Sequence, residues 1–165
     1  MNYANLIPND IVDSDNGVCV SLWFGGCDLY CSGCQNKNLW SSENIEDNTE
    51  IANEIIQLIP ANGVKRSFSV LGGEPLTPQN RKDAAEIIHK VRRKYPTVVI
   101  RLWTGRTMER VLEEKDEYIE SIMRDVDFLI TGPYIEAERT TSMPLIGSEN
   151  QKIYHKNENG EFVTN

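Results

Sequence analysis

Two rhythms of apolar residues run along this chain. Ile51, Ile55, Leu58 and Ile59 recur at i, i+4, i+7 and i+8, the stripe of a helix that packs by one face. Ala84, Ile88, Val91 and Tyr95 form a second such stripe. Val111, Leu112, Ile119, Ile122 and Met123 form a third over residues 107–124, with a break predicted near Lys115 and Asp116. Between the stripes lie short, nearly unbroken apolar runs at 18–24, 67–71, 98–103 and 127–131, which have the length and composition of buried strands. Asp47 and Glu50 predict a capping-box start for the first helix, and residues 60–63 stop it. Thr77 and Pro78 suit the N-cap and first turn of the second helix, which Pro96 ends.

The flanks are less regular. Residues 2–12 mix apolar and polar positions without a period, and residues 13–17 are turn chemistry. Residues 134–150 read as irregular. Residues 152–155 and 161–163 predict a terminal hairpin around Asn157 and Gly160. The core order is therefore strand, helix, strand, helix, strand, helix, strand, which implies an α/β fold with a parallel sheet. A closed eight-unit barrel needs ~250 residues. A chain of 165 residues fits a partial, open parallel βα barrel, built as a single domain over residues 1–165.

Composition narrows the function. The net charge of −8 gives no electrostatic case for nucleic acid or an anionic membrane. No apolar run approaches the ~20 residues of a membrane span, and the N-terminus lacks the pattern of a secretory signal. A cytoplasmic location is expected.

The chemistry concentrates in residues 25–37. Cys27, Cys31 and Cys34, three of the four cysteines, follow the first strand with the spacing C-x3-C-x2-C. Thiolates this close can converge from one loop on zinc, copper(I) or an iron–sulfur cluster. A structural zinc site closes with four protein ligands, so Cys19 or His155 would have to arrive from elsewhere. Three cysteines on a four-iron cube leave one iron open. The spacing alone leaves both readings open. Cys19, inside an apolar run, reads as a buried and inert thiol; His89 and His155 read as ordinary surface or boundary residues. Gly72, Gly73, Glu74 and Pro75 follow the second strand, where glycines permit close approach of backbone to a ligand. Thr104 follows the third strand and has two readings, a bond to a cofactor carboxylate or ribose and a helix cap. All these residues sit at the carboxyl ends of strands, where parallel α/β folds place their sites.

The cysteine spacing together with Gly72-Gly73-Glu74-Pro75, in that order, resembles the two motifs of the radical S-adenosylmethionine (SAM) enzymes. The resemblance implies a [4Fe-4S] cluster on Cys27, Cys31 and Cys34, with SAM on the fourth iron and its amino group held at Gly72, Gly73 and Glu74. It implies that a bulky residue at Gly73 spares the cluster and weakens SAM binding. Many radical SAM proteins carry an aromatic residue where this chain has Gly33, so adenine would rest on backbone at Gly33 and Gln35. The chain as a whole resembles the small activating proteins of anaerobic (class III) ribonucleotide reductase. Residues 2–3, 10–12, 26–27, 36–37, Trp40, 72–75, 103–105, 127–132 and 147–153 carry that likeness. It implies reductive cleavage of SAM to a 5′-deoxyadenosyl radical, which abstracts hydrogen from a glycine of the reductase. The implied partners are that reductase and a low-potential electron donor such as flavodoxin. Activation of another glycyl-radical enzyme, small-molecule radical SAM chemistry and a zinc-stabilised binding module are the alternatives.

Overall fold

A computed structural model describes residues 2–42, 46–47 and 50–164. The apolar runs form strands β2 (Cys19–Phe24), β4 (Ser67–Gly72), β5 (Ile100–Thr104) and β6 (Phe128–Thr131). These four pair in parallel, in the order β2-β4-β5-β6. The helices between them are α1 (Ile51–Leu58), α2 (Arg81–Lys94), and α3 (Met108–Glu113) followed by α4 (Glu117–Asp125). The break between α3 and α4 falls where the sequence placed it. Lys115 turns through φ +41°, and the Asp116 carboxylate caps α4 by accepting from the N–H groups of Tyr118 and Ile119 at 3.0 and 3.2 Å.

The parallel core is extended by antiparallel strands at both edges, of which the sequence predicts only the terminal hairpin. Asn2–Asp10, which has no legible period, forms strand β1 antiparallel to β2, and β3 (Glu46–Asp47) pairs on its far side. The predicted hairpin, β7 (Lys152–Lys156) and β8 (Phe162–Thr164), adds antiparallel to β6. The result is an open sheet of eight described strands in the order β3-β1-β2-β4-β5-β6-β7-β8. β1 escapes a sequence reading because register shifts at residues 3–5 and 7–10 break its alternation against β2.

The second helix begins later than Thr77. Thr77 instead closes a turn, its carbonyl accepting from Asn80 and Arg81, and Asn80 occupies the N-cap. For α1 the N-cap is Glu50, with no side-chain cap bond; the side chain of Asp47, the other half of the expected capping box, lies outside the described residues.

Alternation along the strands divides the sheet. Val20, Leu22, Phe24, Phe68, Val70, Ile100, Leu102 and Leu129 are fully buried on the face covered by the helices. Ser21, Trp23, Ser69, Leu71, Arg101 and Trp103 alternate with them onto the other face. None of α1–α4 lies over that face. The segment after β1 covers part of it: Ser21 donates to Asp10 at 2.6 Å, Ser69 donates to the Asp13 carbonyl at 2.7 Å, and Arg101 pairs with Asp15. Trp103 Nε1 donates to the Leu145 carbonyl at 2.7 Å, which brings residues 143–147 over the same face. No helix among the described residues is long and apolar enough to cross a membrane.

Candidate functional site

The carboxyl ends of β2, β4, β5 and β6 meet at a cavity of about 180 Å3. Cys27, Cys31 and Cys34 line one side, and Gly72, Gly73, Thr104, Gly105 and Gly132 line the others. The three strand-end motifs therefore come together as the parallel topology requires. A larger cavity of about 470 Å3 adjoins it, sharing Trp23, Asn36, Leu71, Trp103, Tyr134 and Gln151. Gln35 lines this second space rather than the first. A cavity of about 550 Å3 at the amino ends of β4 and β5, lined by Val64, Lys65, Tyr95 and Val98, holds none of the candidate residues.

The cysteine loop is closed at its base. Residues 37–39 form one 3-10 turn, and the carbonyls of Leu39 and Trp40 accept from Gly26 N at 2.8 Å and Cys27 N at 3.1 Å. Cys34 N donates to the Cys31 carbonyl at 3.2 Å. The three thiols are half-buried and unbridged. Burial pushes the Cys27 thiol up, while backbone N–H groups of Leu29 and Tyr30 favour its thiolate. Asn36 N donates to Cys34 Sγ at 3.4 Å. Soft donors, several of them ringed by backbone N–H groups, suit a thiolate-ligated iron–sulfur cluster. Among the described residues no three His, Cys, Asp or Glu side chains are placed around a single metal ion.

Neither candidate fourth ligand is near. Cys19 lies five residues before Phe24 on β2, ~16 Å along the strand. It is fully buried, and its Sγ donates to the Asp13 carbonyl at 3.4 Å. Burial pushes its thiol up to about 11, with Ser69 opposing and the Asp10 and Asp13 carboxylates adding to the rise. His155 sits on β7 opposite Phe128. His89 pairs with Asp125 at 2.8 Å.

Glu74 is completely buried, and its carboxylate faces protein. Oε1 accepts from Leu76 N at 2.9 Å and from the Thr104 hydroxyl at 2.9 Å; Oε2 accepts from Gly105 N at 2.8 Å. Burial pushes this carboxyl up, and the Arg106 guanidinium, 3.5 Å away, and these donors oppose it. The side chain thus ties the turn after β4 to the turn after β5. Thr104 serves the same junction: its hydroxyl donates to Glu74 and accepts from Arg106 N at 3.1 Å. The helix-cap reading of Thr104 is corrected, because Thr107 caps α3 by accepting from Arg110 N.

Gly73 packs against backbone. A Cβ there would clash with the carbonyl of Gly26, which accepts from Glu74 N, and with the carbonyl of Leu39, which accepts from Gly26 N at the base of the cysteine loop. A bulky residue at Gly73 is therefore expected to disturb the cysteine loop as well as SAM binding. Gly33 takes φ +73°, and a Cβ there would meet the Glu136 side chain, so a larger residue would need both a left-handed backbone and displacement of Glu136.

Several residues of the site escape a motif reading. Asn80, 1% exposed, donates through Nδ2 to the Gly25 carbonyl at 2.8 Å and the Glu74 carbonyl at 3.1 Å, joining both motifs from the start of α2. Gln151 donates to the Gly132 carbonyl at 2.9 Å and accepts from Gly147 N at 2.8 Å. Their signal in the sequence is only that of polar loop residues.

Asp13 lines the larger cavity. Burial, a side-chain hydrogen bond with Asp10 and the Asp10 charge raise it from 3.8 to about 7. Burial pushes Asp10 up too, but bonds from Ser21, Val12 and Asp13 outweigh it and hold Asp10 low. A raised carboxyl contributes stability that is fully present below the unfolded pKa and is lost by the folded one. The protein therefore loses stability relative to Asp13→Asn as pH rises from about 4 to about 7, by ~2 kcal/mol once partial exposure is discounted, and the difference is constant above that. Urea denaturation across this range checks the slope; parallel curves for the two proteins contradict it.

Known proteins match this chain along most of its length. The profile of the 4Fe-4S single cluster domain matches residues 14–154. The anaerobic ribonucleoside-triphosphate reductase-activating protein of Vibrio cholerae is 31% identical over 156 residues, 93% of this chain and 97% of that protein. The protein of the same name from Escherichia coli K12 is 29% identical over 157 residues, 94% of this chain and 99% of the relative. The one from Enterobacteria phage T4 is 31% identical over 158 residues, covering 93% and 94%.

Proposed function

This chain belongs to the anaerobic ribonucleoside-triphosphate reductase-activating proteins, radical SAM activating enzymes with a 4Fe-4S single cluster domain, and we propose that it generates the glycyl radical of such a reductase. In this reading Cys27, Cys31 and Cys34 would hold a [4Fe-4S] cluster, which would supply the electron for reductive cleavage of SAM to methionine and a 5′-deoxyadenosyl radical able to take hydrogen from a glycine of the reductase. The observation that carries this reading is the single cavity shared by the three cysteines, Gly72, Gly73 and Thr104.

The chain's own residues have separable tasks in this account. Cys27, Cys31 and Cys34 hold the metal. Gly72 and Gly73 give the methionine end of SAM a backbone wall without side chains. Glu74 and Thr104 act behind that wall, since their polar atoms are engaged with each other and with Leu76, Gly105 and Arg106. Gln35 lines the larger cavity, where adenine would extend, and Gly33 precedes it by two residues on the same loop. Trp23, Leu71 and Trp103 line the passage between the two spaces and limit water near a reactive carbon.

The four parallel strands, with helices on one face and the site at their carboxyl ends, support a partial, open βα barrel of the radical SAM type in a single domain over 1–165. The tight cluster of Cys27, Cys31 and Cys34 in sequence suits metal or redox chemistry in a reducing, cytoplasmic setting. A flavodoxin-like protein is the expected electron donor. Anaerobic reconstitution with iron and sulfide, then reduction in the presence of SAM, tests the chemistry. A brown protein that forms 5′-deoxyadenosine and methionine agrees with it. A colourless protein carrying zinc contradicts it.

A further inference from the structure

Arg106 stands where four segments meet. Its guanidinium is 7% exposed. Nη2 and Nη1 donate to Asp28 Oδ2 at 2.9 Å and Oδ1 at 3.4 Å, a two-pronged contact. Nε donates to Glu114 Oε1 at 2.8 Å, and Nη1 lies 3.5 Å from Glu74 Oε1. Asp28 lies between Cys27 and Cys31, Glu74 belongs to the turn after β4, and Glu114 ends α3. Glu114 is itself held by Arg81, the first residue of α2, at 3.2 Å. The backbone of Arg106 joins in, its N–H donating to Thr104 Oγ1 and its carbonyl accepting from Gly132 N at 2.9 Å.

We infer that Arg106 is a positioning residue that locks the cysteine loop onto the Gly72–Glu74 turn through Asp28, so that the two motifs face each other at a fixed separation. The lock stands on the contacts above; its consequence for SAM rests on the proposed function. Burial of Glu74 alone does not account for the arrangement. Its oxygens already accept from Leu76, Thr104 and Gly105, whereas two prongs of the guanidinium turn outward to Asp28, whose side chain is 48% exposed. An exposed carboxylate needs no counterion to fold. Held by a planar fork, however, it fixes the loop in both direction and distance, which an ammonium group does not reproduce. Leu29 adds an apolar contact at the same junction, its Cδ1 filling the space beside Gly105.

Three variants test this: Asp28→Asn, Arg106→Lys, and the two combined. In the metal-free protein, backbone hydrogen exchange across residues 28–36 should accelerate about fivefold in each single variant, as loss of one partly exposed ion pair allows. The double variant should be no faster than Arg106→Lys, because the Asp28 contact is already broken in that variant, which also alters the contacts with Glu74 and Glu114. Asp28→Asn removes only a half-exposed charge, so its melting temperature should stay within about 2 °C of the wild type. Once reconstituted, it should hold full iron but need about fivefold more SAM to change the paramagnetic resonance spectrum of the reduced cluster. Unchanged exchange across residues 28–36 in Asp28→Asn overturns the lock. Additive acceleration in the double variant overturns the pairing of these two residues. A wild-type reduced cluster that ignores SAM overturns the functional reading instead, and leaves the exchange result to judge the lock.

Discussion

Cys27→Ala, Cys31→Ala and Cys34→Ala should each retain little iron or sulfide after anaerobic reconstitution, and should lose activating capacity by at least ~100-fold. Cys19→Ala should fill normally. The three residues share one cavity and one loop, and the loss of any thiolate leaves an iron with no replacement among their neighbours. Cys19 sits at the other end of β2, buried, with a thiol that stays protonated well above neutral pH. Its replacement removes one small buried group and should cost only ~1 kcal/mol. Full iron content in one of the first three variants, or an empty Cys19→Ala, would remove the loop from the metal site.

Gly73→Val should have the second largest effect, and it should reach further than SAM. The new Cβ and its methyls would press on the carbonyls of Gly26 and Leu39. The Gly26 carbonyl accepts from Glu74 N at 2.9 Å, which joins the loop to the turn after β4, and the Leu39 carbonyl accepts from Gly26 N at 2.8 Å, which closes the base of the cysteine loop. Backbone cannot swing aside as a side chain can, so the base must open. A loss of ~3 kcal/mol in stability is expected, at the upper end of overpacking costs, together with poor cluster retention. Thermal denaturation and iron analysis read the two consequences. A Gly73→Val protein with an unshifted melting temperature and a full cluster would show that the junction tolerates the crowding.

The contrast between these residues marks how far the sequence was legible. The core strands and helices were readable because each satisfies its own period, and parallel topology then brings Cys27, Gly72 and Thr104 to one end of the sheet without further information. The antiparallel edges were only half readable. The β7–β8 hairpin has turn chemistry at Asn157 and Gly160, whereas β1 has bulges that blur its alternation. At the site, the metal-ligating cysteines announce themselves by spacing. The supporting residues do not. Asn80 and Arg106 are polar residues at a helix start and in a loop, and only the fold shows that they are almost fully buried between two motifs. Glu74 was visible as part of a motif, but whether its carboxylate faces cofactor or protein depends on Thr104 and Gly105, thirty or so residues away. Gly73 was assigned to the cofactor for its small size; the structure adds that its missing side chain is needed first by the loop that carries Cys27.

The most direct measurement incubates the reduced, reconstituted protein with SAM and an anaerobic ribonucleoside-triphosphate reductase in the absence of oxygen. The account predicts a glycine-centred doublet in the paramagnetic resonance spectrum of the reductase, and deuterium in 5′-deoxyadenosine when the target glycine is deuterated. SAM cleavage without a radical on the reductase, with a radical instead on another glycyl-radical enzyme or turnover of a small molecule, would contradict it.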